Sequence, residues 1–188
     1  GRKRRRATER VGTRARRIAH ALGIAHKREN PLTDTTSLYQ RLAQLPTAVL
    51  SDVLAAMGLP HQVLASSIQQ FSAGPAIAGP AFCLAGREGP EAPVRPGQSK
   101  PVFEMDRHVT QGCVAIIASG GHHIGAMSGG NVGLAWKVRG CVGLVTDGGM
   151  RDINEFNEYE LSIFGTFATP MATKGMWNFT DINVEVSL

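Results

Sequence analysis

Cys141-Val142-Gly143-Leu144-Val145-Thr146-Asp147-Gly148-Gly149-Met150-Arg151-Asp152 decides the fold. Cys141–Thr146 is a short run without polar alternation, the pattern of a strand buried on both faces. Asp147-Gly148-Gly149 supplies turn chemistry, and Arg151-Asp152 opens a helical stretch to about Glu160. Upstream, Val114–Ala118 is a second buried strand, running into Ser119–Gly130, a loop with five glycines. Asn131 is placed to cap a helix through Arg139, with Gly140 in the left-handed position after it. Downstream, Ile163–Ala168 is a third strand. The series is a βαβαβ core, whose crossovers make the strands parallel and the class α/β. Both loops then open at the carboxyl edge of the sheet, where open α/β sheets bind ligands.

The flanks are less decisive. Leu38, Leu42 and Leu45 recur at helical spacing up to Pro46. Thr47 reads as the N-cap of a second helix, Ala48–Met57, stopped by Gly58. Ala76–Leu84 is the best strand in a segment, 74–101, that holds six of the ten prolines, and Glu88–Pro101 reads as an exposed excursion.

At 188 residues the chain is sized for one domain. No apolar run reaches the length of a membrane-spanning helix. Cys83, Cys113 and Cys141 are odd in number, far apart and free of CxxC spacing. That excludes a disulfide framework or zinc ribbon and fits a reducing cytoplasm. The net charge of +5 belongs to one end: residues 1–30 carry eleven Lys or Arg and two acids, leaving the rest at −4. A basic groove for nucleic acid is therefore not indicated outside that tail. The tail reads as a solvated or non-native extension preceding a domain over residues 31–188. An organelle leader and a phosphate-touching cluster are the other readings of its Arg-rich composition, and residues 13–26 have a helical apolar spacing.

Each loop offers a distinct chemistry. Ser128-Gly129-Gly130-Asn131 lets backbone N–H groups approach a ligand closely at a helix start, a setting for carboxylate or phosphate, although a plain tight turn has the same composition. Arg151 brings a planar, permanently charged fork of donors, and Asp152 a hard oxygen suited to Mg²⁺ or Mn²⁺. An Arg-Asp pair at a helix start is also an ordinary surface feature. The rival motifs are weak. Ser128-Gly129-Gly130-Asn131-Val132-Gly133 breaks the dinucleotide fingerprint at its first position. His122 and His123 are neighbours that point to opposite sides of an extended segment. Cys141, Trp136 and Met150 read as core.

These residues resemble the family of the regulator of ribonuclease activity A, which includes divalent-metal pyruvate aldolases that also decarboxylate oxaloacetate. The resemblance runs from about Leu45 to the C-terminus. It is carried by Leu45-Pro46-Thr47, Ser51-Asp52, Ile77–Ala81, Asp106-Arg107, Gly143–Asp152 and Phe164–Pro170. No glycine-rich methyl-donor motif supports the demethylmenaquinone methyltransferase label once given to some members. The resemblance implies a swivelling β/β/α domain with a mixed sheet, assembled as a ring trimer or a hexamer in the cytoplasm.

It also implies roles. Asp152 becomes the metal ligand for Mg²⁺ or Mn²⁺, and Arg151 the clamp on a small 2-oxo acid such as pyruvate or oxaloacetate. Gly129, Gly130, Asn131 and Val132 become the cradle for its carboxylate. The aldolases carry an Asp, then twenty residues, then Arg-Asp; that first Asp positions a water for proton transfer, and here its position is Gly130. Asn131 and His123 are the candidates for the missing acid/base limb. The family's C-terminal strands are absent from the sequence given. The implied function is a metal-dependent carbon–carbon lyase, with a non-catalytic ring that binds a partner such as a ribonuclease as the alternative.

Overall fold

The computed structural model describes residues 35–90 and 104–188, with side chains from Leu38 onward in the first segment. The basic tail, the helix read at 13–26 and most of the Glu88–Pro101 excursion lie outside the described residues. The chain divides into two compact units, at residues 1–63 and 64–188.

The first unit contains helices α1 (Thr35–Leu42) and α2 (Thr47–Ala56). Helix α1 ends three residues before the Leu45 expected from the spacing, closing in turns such as Leu45 N–H to Leu42 O at 3.0 Å. Pro46, rather than Thr47, is the N-cap of α2. Its carbonyl accepts from Val49 N at 3.0 Å, and proline has no N–H to leave orphaned there. Gly58 (φ +83°) ends the helix as expected. Gly58 N–H donates to Ala55 O and Leu59 N–H to Leu54 O, the paired bonds of a Schellman motif.

The second unit is built on a six-stranded mixed sheet. Its strands are β1 (Gln69–Gln70), β2 (Ala81–Glu88), β3 (Val114–Ala118), β5 (Gly143–Thr146), β7 (Ser162–Gly165) and β9 (Trp177–Ile182), in the order β1-β7-β5-β3-β2-β9. The four central strands are parallel, and β1 and β9 flank them antiparallel. Helices α3 (Gly130–Val138) and α4 (Ile153–Glu158) make the β3–β5 and β5–β7 crossovers. The βαβαβ core is present as read.

A second, all-parallel sheet consists of β4 (Ala126–Ser128), β6 (Gly149–Met150) and β8 (Phe167–Ala168). Each short strand follows the end of a central strand, so the chain passes three times from the large sheet into the small one. The expected third strand, Ile163–Ala168, is accordingly two strands broken at Thr166. Its hydroxyl donates to Asp147 O and Gly148 O, both at 3.0 Å.

Leu84, Ala115, Ile117, Leu144 and Ile163 from the large sheet are fully buried, together with Trp136 of α3 and Phe156 of α4. Each such Leu or Ile removes enough apolar surface to contribute about 2 kcal/mol. Trp136 meets Phe82 edge to face at 6.0 Å, and its indole N–H donates to Asp106 Oδ1 at 2.8 Å. Helices α3 and α4 meet where Gly133 faces the Phe156 ring, leaving no room for a Cβ.

Candidate functional site

Hydrogen bonds tie the carboxyl ends of β3 and β5 together. Asp147 Oδ1 accepts the Ser119 N–H at 2.6 Å, and Thr146 Oγ1 donates to Ile117 O at 2.7 Å. Gly148 N–H in turn donates to Thr146 Oγ1 at 3.0 Å. A further backbone bond joins Arg151 N–H to Ser128 O at 3.3 Å. The two loops therefore share one rim.

On that rim Asp152 adopts a left-handed conformation (φ +56°, ψ +38°). Asp tolerates this better than most residues, at a cost of about 1–2 kcal/mol. It occupies the N-cap of α4 without capping it. Its Oδ2 instead accepts the N–H of Gly130 at 3.0 Å and lies 3.4 Å from Arg151 Nε. Both side chains keep more than a third of their surface open, 37% for Arg151 and 36% for Asp152, so a ligand can reach them. The approach is close because residue 129 is glycine. A Cβ there would stand 2.5 Å from Asp152 Oδ2 and 2.7 Å from Arg151 Nε.

Arg151 and Asp152 face an open cavity of about 500 Å³, walled by Met150–Glu155 and Ala168–Pro170. Gly129 and Gly130 are not part of this wall but touch its residues. Gly130 backs onto Glu155, whose carboxylate occupies the space where a Cβ on residue 130 would project. Glu155 Oε2 accepts the Tyr159 hydroxyl at 3.1 Å. Partial burial, reinforced by the hydrogen bond to Glu155 and its charge, pushes that hydroxyl above its ordinary pKa, which keeps it a donor.

The sequence-derived residues separate into two groups. Arg151, Asp152, Gly129 and Gly130 come together. The Gly130 amide is taken by Asp152, so the cradle read for a ligand carboxylate holds the chain's own carboxylate. Asn131 is exposed in the first turn of α3, and Val132 is half-buried against the core; neither is in the cavity wall. His123 is exposed and its Nδ1 pairs with Gly121 O at 2.8 Å. Its neighbour His122 is buried, with Nε2 accepting from Gly125 N–H at 2.9 Å, so Nδ1 holds the proton shared with Glu88 Oε1 at 2.8 Å. The two imidazoles do point apart.

Glu155 escaped the sequence reading. Asp152-x-x-Glu155 has the spacing of a helix capping box, which makes a glutamate there look structural. The signal that exposes it is spatial: a carboxylate placed against a residue with no side chain.

The family profile described as RraA-like, Aldolase/RraA, matches residues 47–188. The chain belongs to this family. Members include both metal-dependent lyases and regulators. No curated protein matches the sequence. Solved structures share the fold at low identity. A structure titled as novel cellulases from microbes of the gut ecosystem has a TM-score of 0.73 at 19% identity, over 86% of this chain and 72% of that one. Streptomyces coelicolor RraAS2, titled an unusual member of the RNase ES inhibitor RraA family, gives 0.65 at 23%, over 79% and 72%. The RNA-processing inhibitor RraA from Thermus thermophilis gives 0.55 at 24%, over 72% and 76%. The mixed α/β sheet expected from the sequence is thus the fold of the RraA-like family.

Proposed function

We propose that the protein is a divalent-metal-dependent lyase that breaks a carbon–carbon bond in a small 2-oxo acid, in the manner of a pyruvate aldolase or oxaloacetate decarboxylase. One observation carries this reading: Arg151 and Asp152 stand side by side on an open cavity at the carboxyl edge of the sheet, their side chains accessible. No cluster of three potential metal-ligating side chains exists among the described residues. Mg²⁺ fits such a setting, because it is commonly held by one or two carboxylates while waters and substrate complete the shell. Asp152 would hold the ion, Mg²⁺ or Mn²⁺. When bound it supplies Lewis-acid stabilisation of negative charge on the substrate's 2-oxo oxygen.

The chain's own residues supply orientation. Arg151 binds the carboxylate or keto oxygen through its planar fork, at a charge independent of working pH. The Gly130 amide and Arg151 Nε fix Asp152 in place. This preorganisation lowers the cost of meeting charge that develops during bond cleavage. A ring trimer is the assembly in this proposal, and sedimentation of the full chain tests it. The test of function is pyruvate release from oxaloacetate with Mg²⁺ or Mn²⁺. The parent protein is expected to release pyruvate in a metal-stimulated reaction, and Asp152→Ala to lose about 10²-fold or more. Release from neither protein rejects the lyase.

The second reading is a regulator that binds a partner protein. The bare Gly130 favours it, since the position that carries an acid in the aldolases has no side chain here. Two of the similar structures are titled as ribonuclease or RNA-processing inhibitors.

A further inference from the structure

Cleavage of a 4-hydroxy-2-oxo acid requires something that oxaloacetate decarboxylation does not: a group that accepts the proton of the C4 hydroxyl. Among the residues of the cavity wall the choice is narrow. Met150, Ile153, Ala168 and Pro170 are apolar, and Asn154 and Thr169 are poor proton acceptors. Arg151 stays protonated. Asp152 is the residue assigned to the metal ion, and its Oδ2 already accepts the Gly130 amide and leans on the Arg151 guanidinium. Glu155 is left. Its Oε2, the atom that lies against the Cβ position of residue 130, is held by the Tyr159 hydroxyl, and Oε1 accepts no hydrogen bond from the described residues. Its carboxylate rests over the bare Cα of Gly130, in volume that any side chain at 130 would take. A glycine at 130 and a glutamate at 155 are thus two halves of one arrangement, in which a carboxylate reaches the space above residue 130 from helix α4.

We propose that the Glu155 carboxylate, seated over Gly130 beside Arg151 and Asp152, takes the hydroxyl proton of a 4-hydroxy-2-oxo acid and returns it to C3 of the product enolate. The balance is complete. The O–H proton passes to Glu155, and the C3–C4 bond breaks. C4–O becomes a carbonyl, and the bond's electron pair becomes the pyruvate enolate. C3 then takes the proton back from Glu155 to form the pyruvate methyl group. This role rests on the lyase reading.

The test uses the full chain with Mn²⁺ and three readouts: pyruvate from oxaloacetate, pyruvate from 4-hydroxy-2-oxoglutarate, and deuterium entry into the pyruvate methyl group in heavy water by NMR. Loss of carbon dioxide breaks the C3–C4 bond without a proton acceptor, so Glu155→Gln is expected to keep oxaloacetate turnover within about threefold. The same variant is expected to lose about 10²–10⁴-fold in aldol cleavage and methyl exchange, the usual contribution of a positioned base. Gly130→Ala leaves Glu155 in the chain and displaces its carboxylate; aldol cleavage is expected to fall at least tenfold further than oxaloacetate turnover, even if Glu155→Gln folds poorly. Equal loss on both substrates, or an unchanged aldol rate, overturns the role of Glu155 and leaves the lyase standing. A parent that decarboxylates but shows neither aldol cleavage nor exchange does the same. A parent inactive on oxaloacetate overturns both.

Discussion

At the residue scale the site depends on what is missing from position 129. The Asp152 carboxylate and the Arg151 Nε both lie within 2.7 Å of the point where a Cβ would stand. The close atoms, with Arg151 Cγ at 3.0 Å, all belong to side chains and none to the backbone, so Gly129→Ala displaces the two side chains and leaves the backbone able to fold. Misplacing a reacting group by about 1 Å costs on the order of 10²-fold in rate. Gly129→Ala is therefore expected to reduce metal-stimulated pyruvate release by about that factor, with a melting temperature close to the parent's. An unchanged rate would separate Arg151 and Asp152 from the chemistry. Arg151-Asp152 was legible because adjacency in sequence guarantees adjacency in space. Glu155 was not, since its significance lies in its contact with a glycine twenty-five positions earlier, across a helix and two strands.

At the element scale the two crossover helices approach each other through Gly133. A Cβ on that residue would penetrate the fully buried Phe156 ring, and the ring sits among large side chains that leave it little freedom. Gly133→Ala gains helix propensity, worth up to about 1 kcal/mol. It meets overpacking of typically about 1–3 kcal/mol. The clash wins: urea unfolding followed by circular dichroism is expected to show a net loss of about 1–2 kcal/mol. A more stable variant would mean that α3 and α4 slide apart freely. The helices and central strands were readable because apolar periodicity and punctuation are local signals. The second sheet was invisible for the opposite reason. Strands of two or three residues carry no alternation, and β4, β6 and β8 are specified only by pairing with one another across the fold.

At the scale of the unit formed by residues 64–188, the outer strand β9 reaches the functional rim through one side chain. Trp177 is buried on Gly86 of β2 and packs edge to face on Phe179 at 4.7 Å. Its indole N–H donates to Ser119 O at 2.7 Å, and the Ser119 N–H donates to Asp147 Oδ1. One residue thus links the edge of the sheet to the turn that leads into Arg151 and Asp152. Trp177→Phe keeps most of the apolar contact and removes only the indole donor. Leaving the buried Ser119 carbonyl without it costs about 1–3 kcal/mol. Trp177→Ala also opens a cavity, for a total of about 3–5 kcal/mol. Both losses are expected in denaturant titrations, and hydrogen exchange is expected to place the Trp177→Phe effect at Ser119–Gly121 and Asp147–Asp152 as well as at β9. Protection lost at β9 alone would show that the edge strand and the rim are mechanically independent.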